Sequence, residues 1–274
     1  MITTPIAKIN LGLNVVERRP DGYHNLQTVF YPVAIKDALE VCAMSDEFPS
    51  PFDCDIKVTN IRIEGDEQRN LVVKAYHLLK ADFPSLPRLH AHLYKGIPTQ
   101  AGMGGGSSDA SAMLLLLNRE FQLGLSEEQL IGYAAKLGAD CAFFVMNRPA
   151  YAEGIGEKLH PIEFDLSKYI MIVVKPSVAI STREAFAGIN VRKPAKNCRD
   201  IVMQPIETWR EELVNDFEES LFPQHPELAA IKERLYELGA LYAAMSGSGS
   251  ALFGFFQEEP DLAQEFTDCE KWIL

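Results

Sequence analysis

Basic charge is the first thing this chain is short of. It carries 26 Lys and Arg against 38 Asp and Glu, for a net charge of −12. Neutralising a nucleic-acid backbone needs clustered Lys and Arg, and no dense basic run occurs, so no nucleic-acid partner is expected. Cysteine is also sparse. The five residues, at positions 42, 54, 141, 198 and 269, are odd in number and contain no C-x-x-C pair. That excludes a zinc ribbon and a disulfide framework, and it suits reduced thiols in a cytoplasmic protein. No protein-built metal site is expected. Apolar runs stay far below the ~20 residues that span a bilayer, and residues 1–10 lack the apolar core of a signal peptide, so no membrane partner is expected. Finally, there is no Walker A sequence and no G-x-G-x-x-G spacing.

One stretch stands out among what is present: Pro98-Thr99-Gln100-Ala101-Gly102-Met103-Gly104-Gly105-Gly106-Ser107-Ser108. It runs directly into the apolar segment Ala112–Leu117. Glycine lets backbone N–H groups approach a ligand without a Cβ in the way. The first turn of a helix adds unpaired donors and the positive end of a dipole. Loop and helix start together predict a phosphate site that is not of the Walker type.

At 274 residues and 47% apolar, the chain has material for one large or two modest domains. Strand-like alternation appears at 6–16, 26–33, 38–44, 56–64, 88–94, 149–153 and 169–174. Helices are predicted over 71–79 behind Asn70 as a cap, from Ser126 to Leu137 behind a capping box, from Ser181 to Ala187, and over 227–238. Strands at 241–245 and 251–256 flank Ser246-Gly247-Ser248-Gly249-Ser250. Residues 188–200 read as basic and irregular. The fold class is α+β, with a soft boundary around residues 155–165 that divides it into 1–162 and 163–274.

Three further segments carry chemistry. In Pro5-Ile-Ala-Lys8-Ile-Asn10-Leu-Gly-Leu13, a lysine interrupts an apolar strand; taken alone, it reads as a solvent-facing side chain on an edge strand. Arg18-Arg19-Pro-Asp21-Gly22-Tyr23-His24-Asn-Leu26-Gln-Thr28 is turn chemistry followed by an aromatic pair. Asp140, in Leu137-Gly-Ala-Asp-Cys-Ala-Phe-Phe144, reads by itself as a turn residue before an apolar strand.

Taken in order, these segments resemble the GHMP kinases, whose motifs they match at residues 5–13, 98–110, 138–144 and 245–250. The resemblance implies a two-lobed fold with the active site in the cleft between the lobes, and ATP with Mg²⁺ as cofactors. It puts the ATP phosphates along Pro98–Ser108, and Asn70 and Lys95 at the adenine pocket. It implies Lys8 at the phosphoryl-transfer site and Asp140 as the catalytic base. Asn10, Thr182, Gly247, Ser248 and Gly249 fall on the substrate side. Cys141-Ala142 replaces the family's usual Val-Pro, which removes a fixed φ just after Asp140. Residues 18–28 resemble a branch with a small-molecule cytidyl diphosphate substrate. There Tyr23 and Phe186 would sandwich the cytosine, while His24 reads its edge. A monomer or weak homodimer is expected. Mevalonate-type and homoserine kinases, or a non-catalytic nucleotide-binding member, are the competing readings, distinguished by Asp21–His24, Lys8 and Asp140.

Overall fold

Alternating apolar residues build the first third of the chain into strands. The computed structural model describes residues 1–63 and 65–274. In chain order the strands begin β1 (Ile2–Thr3), β2 (Ile6–Arg18), β3 (His24–Lys36), β4 (Ala38–Ala43), β5 (Cys54–Asn60) and β6 (Leu89–Lys95). They continue β7 (Ala150–Glu153), β8 (Lys158–Pro161), β9 (Ile170–Lys175), β10 (Tyr242–Met245), β11 (Leu252–Phe256) and β12 (Glu270–Ile273). The helices are α1 (Leu71–Asp82), α2 (Gly105–Glu120), α3 (Glu127–Ala135), α4 (Cys141–Met146), α5 (Thr182–Ala187), α6 (Cys198–Val202), α7 (Trp209–Glu212), α8 (Asp216–Leu221) and α9 (Pro226–Glu237). The strand expected over 56–64 is β5, which ends at Asn60; Glu64, its expected last residue, lies outside the described residues.

The chain divides into two compact units, each assembled from three pieces. The first takes residues 1–7, 34–99 and 104–148; the second takes 8–33, 100–103 and 149–274. The cut expected near residue 162 divides the chain differently, because neither unit is one continuous run.

In the first unit the sheet runs β1-β4-β6-β5, with β5 parallel to β6 and the other pairs antiparallel. Val41, Ala91 and Ile56 lie side by side across it and are buried, whereas the next row, Glu40, His92 and Lys57, faces water. This is the one-sided burial that alternation encodes. Helices α1, α2 and α4 supply the other half of that core through Val72, Tyr76, Met113, Leu117 and Val145.

The second unit holds the antiparallel sheet β10-β11-β9-β12 and most of the sheet β2-β3-β7-β8. Its core joins Ile172, Val174, Leu252 and Phe256 to Leu228 and Leu235 of α9. Pro226 at the first turn of α9 suits that position because its missing N–H would have no helical partner.

One element differs in kind from its expectation. The apolar run after Asp140 is the helix α4, not a strand. Six apolar residues fit a buried helix turn as well as a buried strand, and Asn147 in the left-handed region ends the run as a helix ends. The Cys141-Ala142 departure therefore falls in a first helical turn, where Ala favours the same backbone that Pro would tolerate.

Candidate active site

The glycine loop enters α2 through Gly104, whose φ of 70° is left-handed and which caps the helix with no side-chain hydrogen bond. The first N–H groups of α2 are thus left without a capping side chain, at the positive end of a 16-residue helix. Ala101 and Met103 are buried, so what the loop offers a ligand there is main chain. Pro98 is buried, while Thr99 and Gln100 are exposed. The hydroxyl of Ser108 donates to the Ile6 carbonyl at 2.7 Å, which fixes its proton and leaves its lone pairs. Gly105 is close-packed as well: a Cβ there would sit 3.0 Å from Ile97 and 3.1 Å from the Lys95 ammonium.

In the second unit, residues 100–103 are stitched to the other glycine loop. Ser250 N donates to Gln100 O and Ala251 N to Ala101 O, both at 3.2 Å. The Ser246 hydroxyl donates to Gly102 O at 2.9 Å. A Cβ on Gly102 would lie 1.8 Å from Ser246 O, and its φ is +71°, so no other residue fits. Asn215 holds the same loop from behind. Its amide donates to Met245 O at 2.7 Å and Gly247 O at 2.9 Å, while its oxygen accepts from Phe217 N and caps α8. Next to it, the Asp216 carboxylate accepts from Val15 N at 2.8 Å and ties down β2.

Lys8 does not face solvent. It is 3% exposed, with its ammonium donating to Asn10 Oδ1 at 2.6 Å and Gly102 O at 2.9 Å. It also stands 5.1 Å above the Phe30 ring. Asn10 is oriented in turn: its amide donates to Thr28, whose hydroxyl donates to Gly12 O. A buried ammonium is a local source of positive potential, so its position suits the developing charge of an anion. Asp140 belongs to the first unit. It stands at the start of α4 and its carboxylate makes no cap bond there. Cys141 beside it is fully buried, and burial pushes its thiol up to about 11, so it is not a nucleophile.

The turn at residues 19–24 divides its labour. Arg19 and Asp21 form an ion pair at 2.7 Å, and Asp21 also accepts from Tyr23 N. Gly22, at φ +88°, has open space around it and is needed only for its backbone. This bracing leaves Tyr23 61% exposed. The His24 ring lies flat on Phe186 of α5, centroids 4.8 Å apart and planes 18° apart. Phe186 meets Phe217 edge-on behind it. The sequence expectation sandwiched cytosine between Tyr23 and Phe186; in the structure His24 is the ring against Phe186. Thr182, the first residue of α5, is exposed.

Asn70 caps α1 by accepting from Val72 N and lines a cleft of about 810 Å³ walled by Val58–Ile63, Gly65–Glu67 and Arg69. Lys95 is placed otherwise than expected. It is 1% exposed, and its ammonium is bound by Asp37 and Asp109, leaving only its carbonyl turned outward to Asn60, which donates to it. Among the described residues, no group of three His, Cys, Asp or Glu is placed to hold a metal ion. Among them, too, no helix is long and apolar enough to cross a membrane. Asn215, Asp216, Asp37 and Asp109 escaped the sequence reading. An Asn followed by an acidic first turn, here Asp216, Glu218 and Glu219, is a cap signal that could have found Asn215.

With this geometry in view, the known relatives are informative. Residues 70–148 match the GHMP kinases N terminal domain, and residues 197–272 match the GHMP kinases C terminal. A 4-diphosphocytidyl-2-C-methyl-D-erythritol kinase of Bacteroides thetaiotaomicron is 53% identical over 96% of this chain and 95% of its own length. One of the same description from Porphyromonas gingivalis is 49% identical over 99% of this chain and 98% of its own. A solved 4-(cytidine 5'-diphospho)-2C-methyl-D-erythritol kinase superposes with a TM-score of 0.81 at 31% identity, covering 100% of this chain and 98% of that one. The homoserine kinase of Cytophaga hutchinsonii, at 14% identity and a TM-score of 0.69 over 99% and 93%, shares the fold alone. The chain belongs to the GHMP kinases, in the family of the 4-diphosphocytidyl-2-C-methyl-D-erythritol kinases.

Proposed function

We propose that this protein transfers the γ-phosphoryl group of ATP to the 2-hydroxyl of 4-diphosphocytidyl-2-C-methyl-D-erythritol. The products are the 2-phosphate and ADP, in the methylerythritol phosphate route to isopentenyl diphosphate. The observation that carries this reading is the braced turn that exposes Tyr23 beside a His24 ring backed by Phe186, in a chain of this kinase family. Tyr23 stacks on the cytosine. His24, held flat by Phe186, offers its ring nitrogens to the base's edge, which discriminates by hydrogen bonding rather than by size. Phe186 then acts through His24. Asn10, Thr182 and Gly247–Gly249 meet the remainder of the substrate.

The uncapped start of α2, with Gly102–Ser108, receives the ATP phosphates. Asn70 and its cleft take the nucleoside end. Lys8, already surrounded by carbonyl-type partners, meets the charge of the transferring group. The substrate hydroxyl oxygen forms its bond to the γ-phosphorus as the bond to the bridging oxygen of ADP breaks, and Asp140 accepts the hydroxyl proton. Positioning and fixed electrostatics supply most of the rate. Mg²⁺ bound with ATP would offset phosphate charge, with phosphate oxygens and water as most of its ligands. Five free thiols suit a cytoplasmic site, and the protein works as a monomer or weak homodimer.

The test is ADP release with ATP·Mg²⁺ and one acceptor at a time: the cytidyl substrate, mevalonate, homoserine, or none. Turnover with the cytidyl substrate alone supports the reading. Turnover with another acceptor would keep the kinase and remove the base-recognition argument.

A further inference from the structure

Both ends of the glycine loop arrive at one buried cluster of three charges, all within the first unit. Asp37, at the corner between β3 and β4, is 2% exposed. Its Oδ1 accepts from Gly96 N at 2.6 Å and Ile97 N at 2.7 Å, the two residues that lead into Pro98. Its Oδ2 accepts from the Lys95 ammonium. That same ammonium donates to Asp109 Oδ2 at 2.8 Å, and Asp109 is the residue immediately after Ser108 in α2. The Lys95 nitrogen also lies 3.1 Å from where a Cβ on Gly105 would stand. One carboxylate therefore holds the loop's entry, the other its exit, and a single ammonium joins them.

We propose that Lys95, Asp37 and Asp109 form a clamp that sets the mouth of the ATP loop, and that Lys95 is a positioning residue rather than a nucleotide contact. The proposal rests on the assignment of Pro98–Ser108 to the ATP phosphates. Two carboxylates and one ammonium carry a net negative charge when fully ionised, and Asp109 Oδ1 is buried with no hydrogen-bond partner. Burial, with Asp37 beside it, raises the Asp109 carboxyl to about 8 against the pull of Lys95. The neutral clamp holds one proton. As pH rises, that proton leaves, the two carboxylates repel and the loop's ends loosen. The charged groups facing Asp109 are Lys95 from β6 and Asp37 from the β3–β4 corner. Helices α1, α3 and α4 meet α2 through the apolar core, where the titratable members are Tyr76, Cys54 and Cys141, raised to about 11–12, with Tyr133 of α3, also raised, packed against it; all are neutral throughout this range.

The experiment measures KM for ATP and kcat on the full-length protein between about pH 7 and 9.5, with saturating acceptor and Mg²⁺, for the wild type, Asp109→Asn and Lys95→Met. In the wild type, KM for ATP is expected to rise several-fold, about three to ten, across pH 8 to 9. In Asp109→Asn the side chain stays neutral, so that rise should vanish while kcat stays within about twofold. Lys95→Met leaves two carboxylates without a counterion. It should raise KM for ATP at least about tenfold while kcat falls less than about threefold. If Lys95→Met does not melt cooperatively, the pH arm with Asp109→Asn decides. An Asp109→Asn profile that rises as the wild type does would overturn the clamp, as would a Lys95→Met that loses kcat at unchanged KM. A wild type that binds no ATP by calorimetry would instead overturn the loop's assignment, and the clamp's function with it.

Discussion

The glycine loop at Pro98–Ser108 is tethered by buried charge, whereas the loop at Ser246–Ser250 is tethered by neutral amide and hydroxyl groups. In the first unit, Asp37, Lys95 and Asp109 hold the loop's ends through an ammonium and two carboxylates. In the second, Asn215 and Ser246 hold the loop through neutral groups, and the Glu218–Lys232 pair reaches only Met245 N, just before the loop. A charged tether is strong in geometry but answers to protonation; an amide tether does not titrate. The loop given to ATP should therefore soften at alkaline pH, while the loop given to the acceptor side should keep its shape.

The largest break in this comparison comes from the contact of residue 102 with the second loop. Gly102→Ala puts a Cβ 1.8 Å from Ser246 O at a left-handed backbone, so it should cost more than about 3 kcal/mol in a denaturant melt. A smaller loss would mean that the loops can separate without unfolding. Next is Asn215→Ala, which removes two donors to buried carbonyls and the cap of α8. About 2 kcal/mol of stability should go, by the same amount at pH 7 and pH 9. A pH-dependent loss would contradict the neutral tether.

Much of this was legible in the sequence, for identifiable reasons. The caps at Asn70 and Ser126, the glycine stretch and the Tyr-His turn are local signals, and the local backbone obeys them. Lys8 was not decidable from its strand, since the Gly102 carbonyl that accepts from it is ninety-four positions away. The α4 run failed on period, because six apolar residues do not distinguish helix from strand. Helices α6 to α8 are four to six residues long and carry too few turns to show a helical pattern. The Lys95 clamp was hidden for the same reason as the Lys8 contacts: Asp37 is fifty-eight positions away.

Substrate recognition offers a milder probe. Tyr23 is mostly exposed, so Tyr23→Ala should raise KM for the cytidyl substrate about tenfold with little shift of the melting temperature. An unchanged KM would remove the stacking role. The smallest expected effect is in α5, which carries Phe186. His225 pairs with Glu184 of α5 at 2.8 Å, and hydrogen bonding to Glu184 raises the imidazole above its usual 6.5. A raised folded-state value means the pair's contribution is complete below about pH 6.5 and is lost as pH climbs through the raised value. His225→Gln should accordingly lower the melting temperature slightly at pH 6 and not at pH 8.5; equal shifts at both would show that the pair's charge is immaterial.

The chemistry itself is tested most directly by Asp140→Asn, assayed by rapid quench with saturating cytidyl substrate and ATP·Mg²⁺, with ATP affinity measured alongside by calorimetry. Loss of the proton acceptor should slow phosphoryl transfer by about 10²–10⁴-fold while ATP binds within about threefold of the wild type. A variant that turns over at near-normal rate would contradict the role given to Asp140, and with it the mechanism.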